Sequence, residues 1–187
     1  MLRIGLVGEA PVDTACVKTL LSKKYKGLDF FEMISDIRGN HLDSQFAKRF
    51  LRREFEIAKP DFIVFIRDLD GKENNADMLS QRKEFFARCN SIVNKTGLFL
   101  LNIQELEALL FTDISVINKC YNVVLAAVDD CMLIEGPKEY LRSNVRGYIE
   151  THNKELFEKY NYETIISNCR YFKKFDAEFS IKTGFAE

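Results

Sequence analysis

The sequence predicts an α/β fold in which a mostly parallel β-sheet is flanked by helices and followed by a helical C-terminal extension. Over residues 1–113, short apolar runs alternate with amphipathic segments, and strands that alternate with helices favour a parallel sheet. The run from Phe62 to Ile66 contains no polar residue, which is typical of a strand buried on both faces. We therefore expect an α/β domain over 1–113 and a mainly helical extension over 114–187 that packs on it.

The composition is that of a globular protein and limits the kinds of metal site that the chain can form. Of the 187 residues, 47% are apolar and 29% are charged, which suits one domain with a sizeable core. No apolar run has membrane-spanning length and the first residues read as a strand, so we expect a cytoplasmic protein without membrane contact. Five scattered cysteines without a Cys-x-x-Cys spacing and only two histidines disfavour zinc, leaving carboxylates as the expected metal ligands. The net charge of -1 neither requires nor excludes a nucleic-acid partner.

The first strand–helix unit follows from an apolar run and a capping residue. Leu2 to Gly8 is apolar, so a strand is expected there. Asp13 or its neighbour Thr14 can cap a helix from Ala15 to about Tyr25, with apolar residues on its buried side.

The remaining elements follow from the same patterns of apolar residues, with Gly97 as a helix stop. The amphipathic helix that precedes the central strand carries four basic residues, which fit a solvated face better than a nucleic-acid patch. After Asp113 only Val123 to Val128 resembles a strand. The expected elements are a strand over 30–34, a helix over about 44–58, the strand from Phe62, a helix over 78–93, a strand over 98–103, a helix directly after Gln104, and a helix opening at Gly136-Pro137-Lys138.

Acidic residues follow the central strand, in the segment Ile66-Arg67-Asp68-Leu69-Asp70-Gly71. If the chain stays extended, Asp68 and Asp70 project to the same side with their Cα atoms about 7 Å apart. Two carboxylates about 5 Å apart repel by roughly 3 kcal/mol at an effective dielectric near 20, which a divalent cation such as Mg²⁺ would relieve. The alternative is a surface turn in which both charges are solvated and Gly71 allows the chain to reverse.

Acids follow two further strands as well. Glu9 comes directly after the first strand, and Glu105 and Glu107 follow the strand that ends near Ile103. Ligands bind outside the carboxyl ends of parallel strands, so these acids are expected to meet Asp68 and Asp70 around one cation. The alternative for Glu105 and Glu107 is that they complement the dipole of the helix that they open.

These motifs resemble the Toprim fold of topoisomerases, bacterial primases and nucleases of the overcoming-lysogenisation-defect class. The similar stretches are Val-Gly-Glu-Ala-Pro-Val-Asp from residue 7, Ile-Arg-Asp-Leu-Asp-Gly from residue 66 and Glu-Leu-Glu-Ala-Leu-Leu-Phe from residue 105. The last stretch and, more loosely, Gly136-Pro137-Lys138 look like small stand-alone prokaryotic Toprim-like proteins, some of which are thought to serve phage defence. The resemblance implies that Glu9 acts as general acid or base and metal ligand, and that Asp68 and Asp70 bind metal.

The sequence also departs from the family pattern. Ala10 stands where the family has glycine, and Val12 where it has a hydroxyl residue, whereas Asp13 keeps the acid. Four further residues are candidates for the site. Asp13 is expected near the first helix, Arg38 in the polar loop after the second strand, and Lys138 and Lys174 as cations for a scissile phosphate or as plain surface lysines.

Three functions are consistent with these residues. The resemblance implies a nuclease dependent on Mg²⁺ or Mn²⁺ that acts on DNA or RNA, with Glu9, Asp68 and Asp70 as its catalytic residues. A phosphohydrolase of the haloacid-dehalogenase type would use Asp68 as nucleophile and Asp70 as acid, with Asp129 and Asp130 as a distal metal pair. The third is a Toprim-like domain without turnover that binds a partner such as an ATPase. A homo-oligomer is compatible with each of them.

Overall fold

The protein is built on a four-stranded, all-parallel sheet with the strand order β2-β1-β3-β4. The computed structural model describes residues 1–36 and 42–185. The strands are β1 (Arg3–Val7), β2 (Asp29–Ile34), β3 (Phe62–Asp68) and β4 (Gly97–Asn102). This architecture, with helices around a parallel sheet, confirms the predicted fold class.

Helices connect the strands and make up most of the chain after β4. Within the described residues the α-helices are α1 (Pro11–Lys24), α2 (Gln45–Ala58), α3 (Ala76–Ile92), α4 (Ile114–Tyr121), α5 (Pro137–Asn144), α6 (Asn153–Lys159), α7 (Tyr162–Asn168) and α8 (Arg170–Thr183). Short 3-10 helices cover Leu106–Asp113, Cys131–Leu133 and Glu150–His152. None of the helices in the described part of the chain combines the length and the apolar character that a bilayer crossing requires.

The sheet separates two apolar cores because side chains alternate along β3. Ile63 and Phe65 face the core that α2 and α3 cover, whereas Val64 and Ile66 face the larger core on the other side. Since β3 extends to Asp68, the alternation continues to its end, so Arg67 lies on the α3 face and Asp68 on the opposite face.

The residues after Asp113 share the larger core with α1 and the sheet. A polar cluster ties α8 to α1: Asp176 on α8 accepts hydrogen bonds from the hydroxyls of Tyr25 at 2.5 Å and Tyr162 at 2.7 Å, and from Lys24 Nζ at 2.7 Å. Since Asp176 is buried, this cluster neutralises a charge that would otherwise oppose the docking of α8.

Three predictions differ from the structure. Gly97 does not end a helix, because α3 ends at Ile92 and Gly97 is the first residue of β4. The helix α1 begins at Pro11 with Ala10 as its N-cap, four residues earlier than predicted, because proline is suited to the first helical position. Asp13 therefore lies inside the first turn, where its Oδ2 accepts a hydrogen bond from the Ala10 amide at 3.3 Å. The predicted strand over 123–128 is wrong: this segment is irregular, and Asn118 binds the backbone of Leu125 through its side-chain amide.

Candidate active site

Acidic side chains gather at the carboxyl edge of the sheet. The strands β1, β3 and β4 are parallel neighbours, so the segments that follow them leave the sheet at the same edge. Asp68, the last residue of β3, pairs in register with Asn102, the last residue of β4. The Asn102 amide donates to Asp68 Oδ1 at 2.9 Å, which fixes the orientation of this carboxylate.

Asp68 is the electrostatic centre of the group. Burial raises its pKa well above the ordinary value of an aspartate, and the negative charges of Asp13, Glu107 and Asp70 raise it further. The hydrogen bond from Asn102 favours the ionised form and lowers the pKa, but it does not outweigh these causes. Asp68 therefore either takes up a proton more readily than an ordinary aspartate or needs a cation beside it.

Two further carboxyls on the Asp68 side are also shifted towards protonation. Burial raises the pKa of Asp13 to about 6, although the hydrogen bond from Ala10 and the charge of Lys138 lower it. Burial likewise raises the pKa of Glu107 to about 7, against the lowering effect of Lys138. With Asp68 these two residues form a cluster, named here the acidic cluster, in which Asp13 and Glu107 change protonation around pH 6 to 7.

Glu107 is held by the C-terminal helices. It is 3% exposed, and its Oε1 accepts a hydrogen bond from Asn153 Nδ2 at 3.0 Å. The other end of this amide, Asn153 Oδ1, accepts from the Tyr148 hydroxyl at 2.8 Å. The extension thus builds part of the site, because two of its residues orient a carboxylate that follows β4.

Lys138 supplies the cation of the acidic cluster. Its Nζ lies 3.8 Å from Glu107 Oε1 and 3.3 Å from Glu150 Oε1. Its backbone amide, in the first turn of α5, donates to Glu105 Oε2 at 3.1 Å. Burial lowers the pKa of Lys138, but the neighbouring carboxylates outweigh this effect and raise it, so the amine is charged at neutral pH.

Glu9 lies at the same edge, and its carboxylate is paired with Arg67. Arg67 is buried on the α3 face of the sheet, with its guanidinium carbon 5.3 Å from the centre of the Phe85 ring. Its Nε is buried and has no hydrogen-bond partner within the described residues. Because β3 directs Arg67 and Asp68 to opposite faces, the ion pair draws the Glu9 carboxylate towards the face opposite Asp68.

Asp70 is held by α3. Its φ of 59° shows that the extended chain has ended, so the predicted alternation does not apply to the pair Asp68 and Asp70. Arg82 donates from Nε to the Asp68 carbonyl at 2.8 Å and from a terminal nitrogen to Asp70 Oδ2 at 2.6 Å. The guanidinium thereby clamps the loop after β3 and neutralises part of its charge.

The predicted site residues thus divide into three sets. Asp13, Asp68, Asp70 and Glu107 influence one another electrostatically, with Lys138 beside them. Glu9 and Glu105 reach the same edge, but they bind Arg67 and the α5 amide instead. Two candidates lie elsewhere: Lys174 lines a groove between α3 and α8, and Arg38 is outside the described residues.

Several neighbours of these acids were not predicted. The sequence could have indicated Asn102, because it is the polar residue at the end of β4, a strand that was predicted correctly. Arg67 contacts Glu9 across the neighbouring strands β3 and β1, Arg82 reaches Asp70 from α3, and Asn153 and Glu150 come from the extension. Arg67 precedes Asp68 in the chain, but its contact with Glu9, like the positions of the other three residues, is created only by folding.

The donor chemistry of this edge suits a hard divalent ion, because carboxylate and amide oxygens are the ligands that Mg²⁺ prefers. In their present positions, however, no three acidic, histidine or cysteine side chains of the described residues form a group able to hold a metal ion. The side chains of Glu9 and Asp70 are 40% and 57% exposed. They can therefore turn from their arginines without opening the core.

Comparisons of the chain with known proteins give no indication of its function. No protein-family model, curated protein or solved structure matches the chain.

Proposed function

We propose that this chain is a metal-dependent nuclease of the Toprim type, which hydrolyses DNA or RNA with Mg²⁺ or Mn²⁺ and serves, as some similar proteins are thought to do, in phage defence. The observation that carries the proposal is the position of Asp68 at the carboxyl edge of a parallel sheet, oriented by Asn102, where burial and the negative charges of Asp13, Glu107 and Asp70 disfavour its ionised form. A divalent cation relieves such unfavourable charge directly. The order of the motifs supports the Toprim type, since Glu9 follows β1 and Asp68 and Asp70 follow its neighbour β3.

The residues of this edge have distinct roles in the proposal. Asp68, Asp70 and Glu107 would hold the ion, and Glu9 would join them by leaving Arg67. A divalent ion held there would supply Lewis-acid polarisation of a phosphodiester and charge stabilisation of the attacking and leaving oxygens. Asn102 keeps Asp68 oriented, while Lys138 offers an ammonium group to a phosphate oxygen.

The two arginines set an energetic condition for metal binding. Arg67 and Arg82 neutralise Glu9 and Asp70 when no metal is bound, so a cation must compete with both ion pairs. In the pair of Arg82 with Asp70, the aspartate is 57% exposed but the arginine only 13%, so the pair is stronger than one between two exposed side chains. Metal binding must therefore compensate for an arginine that loses its carboxylate partner.

Cleavage and metal binding by an Asp68→Asn variant test the proposal. Wild-type protein is incubated with single- and double-stranded DNA and RNA in the presence of Mg²⁺ or Mn²⁺, and Mn²⁺ binding is followed by calorimetry. We expect Asp68→Asn to abolish both cleavage and binding, and Asp77→Asn, which changes an exposed aspartate of α3, to leave both unchanged. Wild-type protein that neither binds Mn²⁺ nor cleaves any of the four substrates would refute it.

A partner-binding domain without turnover is the second candidate function. The observation that favours it is the pairing of Glu9 and Asp70 with arginines, which leaves no ready group of three metal ligands in the described residues. In that case Asp68→Asn would keep the cellular function and the binding of a partner such as an ATPase. Loss of the cellular function in a folded Asp68→Asn protein that still binds its partner would exclude this alternative.

A further inference from the structure

A cavity of about 590 Å³ lies beside the loop that carries Asp70. Its walls come from the segment after Gly71, the loop after β4, the 3-10 helix Cys131–Leu133 and the first residue of α8. This volume is within the usual range of small-molecule sites, roughly 300–1,000 Å³. The residues that line it include Lys72, Gln104, Met132, Leu133 and Arg170.

Gln104 is a buried amide that faces this cavity without a partner. It is 7% exposed and lines the cavity. Its side chain makes no hydrogen bond to any residue that the structure describes, and its amide atoms are not among the fully buried side-chain atoms that lack a partner. The amide is therefore reachable from the cavity, where its donor and acceptor can both be used. An amide left open towards a cavity is therefore suited to a ligand with a hydrogen-bonding edge.

The backbone holds Gln104 in place at a cost. Its φ is 62°, a left-handed conformation that a non-glycine residue rarely adopts. Two backbone hydrogen bonds maintain it: the Asp70 amide donates to the Gln104 carbonyl at 2.9 Å, and the Gln104 amide donates to the Gly71 carbonyl at 3.2 Å. Such strained positions concentrate at ligand sites, and these bonds connect the cavity wall directly to the loop of Asp70.

The remaining lining residues provide an apolar surface and two cations. Met132 is buried, whereas Leu133 is 72% exposed. Lys72 Nζ pairs with Glu135 at 2.5 Å, and Arg170 pairs with Glu73 and, at 3.9 Å, with Asp130. All of these side chains except that of Asp130 are at least half exposed. Because exposed ion pairs are weak, a phosphate can displace either glutamate from its cation.

We propose that this cavity receives one unpaired nucleobase of a single-stranded nucleic acid, an inference that rests on the proposed nuclease function. The Gln104 amide, which offers a donor and an acceptor, binds the edge of the base, and Leu133 packs against its face. Lys72 and Arg170 bind the flanking phosphates. The adjoining phosphodiester then lies next to Asp70, because Gln104 and Asp70 are joined through their backbones. A base in a duplex is excluded, since its edge is engaged and its faces are stacked.

Binding without metal tests the cavity separately from cleavage. Fluorescence anisotropy in EDTA measures the dissociation constants of labelled ten-nucleotide probes: single-stranded DNA, single-stranded RNA, the DNA duplex, and a DNA strand with abasic sites throughout. We expect the wild-type protein to bind the base-containing single strands about tenfold more tightly than the duplex or the abasic strand. The DNA and RNA probes also show which of the two sugars is preferred.

Two variants assign that preference to the cavity. Gln104→Met keeps the length of the side chain but removes the amide, and we expect it to weaken binding of the base-containing single strands about five- to tenfold while binding of the abasic strand is unchanged. Leu133→Ala changes an exposed residue that folding does not require, and we expect the same pattern with a smaller loss. The matched control is Gln81→Met on the exposed surface of α3, which is expected to bind all probes like the wild type.

The proposal has clear contrary outcomes. Equal binding of the base-containing and abasic strands, tighter binding of the duplex, or wild-type binding by both Gln104→Met and Leu133→Ala would overturn it, as would the absence of any binding to the single strands. If Gln104→Met does not fold, Leu133→Ala decides. Because no metal is present, failure to cleave would contradict the nuclease function alone and would leave the binding result as it stands.

Discussion

Replacing Glu107 by glutamine should make the stability of the protein less dependent on pH. Its carboxylate is 4% exposed, and its pKa rises from the ordinary 4.5 to about 7 through burial. A raised carboxyl pKa means that the folded state holds the proton more tightly than the unfolded chain. The stability contributed by this proton is therefore present below about pH 4.5 and is lost as the pH rises through about 7.

The magnitude follows from the change in pKa. At about 1.4 kcal/mol per pKa unit, the rise from 4.5 to about 7 corresponds to about 3 kcal/mol. Glutamine keeps the oxygen that accepts from Asn153 but never ionises. The variant Glu107→Gln should thus exceed the wild type's free energy of unfolding by less than about 1 kcal/mol at pH 5 and by about 3 kcal/mol at pH 8.

Urea denaturation in EDTA at pH 5, 6, 7 and 8 measures this difference. Glu56→Gln, which removes an exposed glutamate from α2, serves as the control and is expected to follow the wild type at every pH. A difference between Glu107→Gln and the wild type that stays constant from pH 5 to 8 would refute the reasoning, because it would show that Glu107 is ionised equally easily in both states.

Two further variants test the packing that positions the site, both by urea denaturation. Asp176→Ala removes the acceptor shared by two tyrosine hydroxyls and Lys24, and we expect the free energy of unfolding to fall by about 3 kcal/mol or more. The control Glu178→Ala, on the exposed face of α8, is expected to lower it by less than about 0.5 kcal/mol. Comparable losses in the two variants would contradict this prediction. Gly97→Ala places a Cβ 2.6 Å from Asn90 Oδ1 and 3.0 Å from a ring carbon of Phe65 on β3. We expect the crowding to cost about 1–3 kcal/mol, and an unchanged urea midpoint would show that the neighbouring side chains move aside freely.

The alternation of β3 explains why the acids of the edge are neutralised differently. Arg67 leaves the strand towards α3, where it attracts Glu9, whereas Asp68 leaves it towards the acidic cluster. Arg82 reaches the edge from α3 and binds Asp70. Within residues 1–36 and 42–185, no arginine side chain pairs with the Asp68 carboxylate, which receives a neutral amide from Asn102 instead. The carboxyl that most needs a cation is therefore the one at the end of the central strand.

Most elements could be predicted locally because the chain signals them locally. Apolar runs marked the four strands to within two residues, and Ser44 caps α2 through its hydroxyl as its position before the helix suggests. The start of α1 was misplaced because a capping preference was given more weight than the proline at position 11. The irregular segment over 123–128 shows that an apolar run without a strand beside it does not form a strand.

The sequence by itself determined which acids follow which strands, since apolar runs set the strand ends and parallel pairing brings Glu9, Asp68 and Glu107 to one edge. Tertiary structure decided the electrostatic state of each acid. Burial and neighbouring groups set the pKa of a carboxyl. Two neighbours of Glu107 are Lys138 and Asn153, which lie about 30 and 46 residues further along the chain. Such pairing depends on how helices pack on the sheet, which no local pattern of residues encodes.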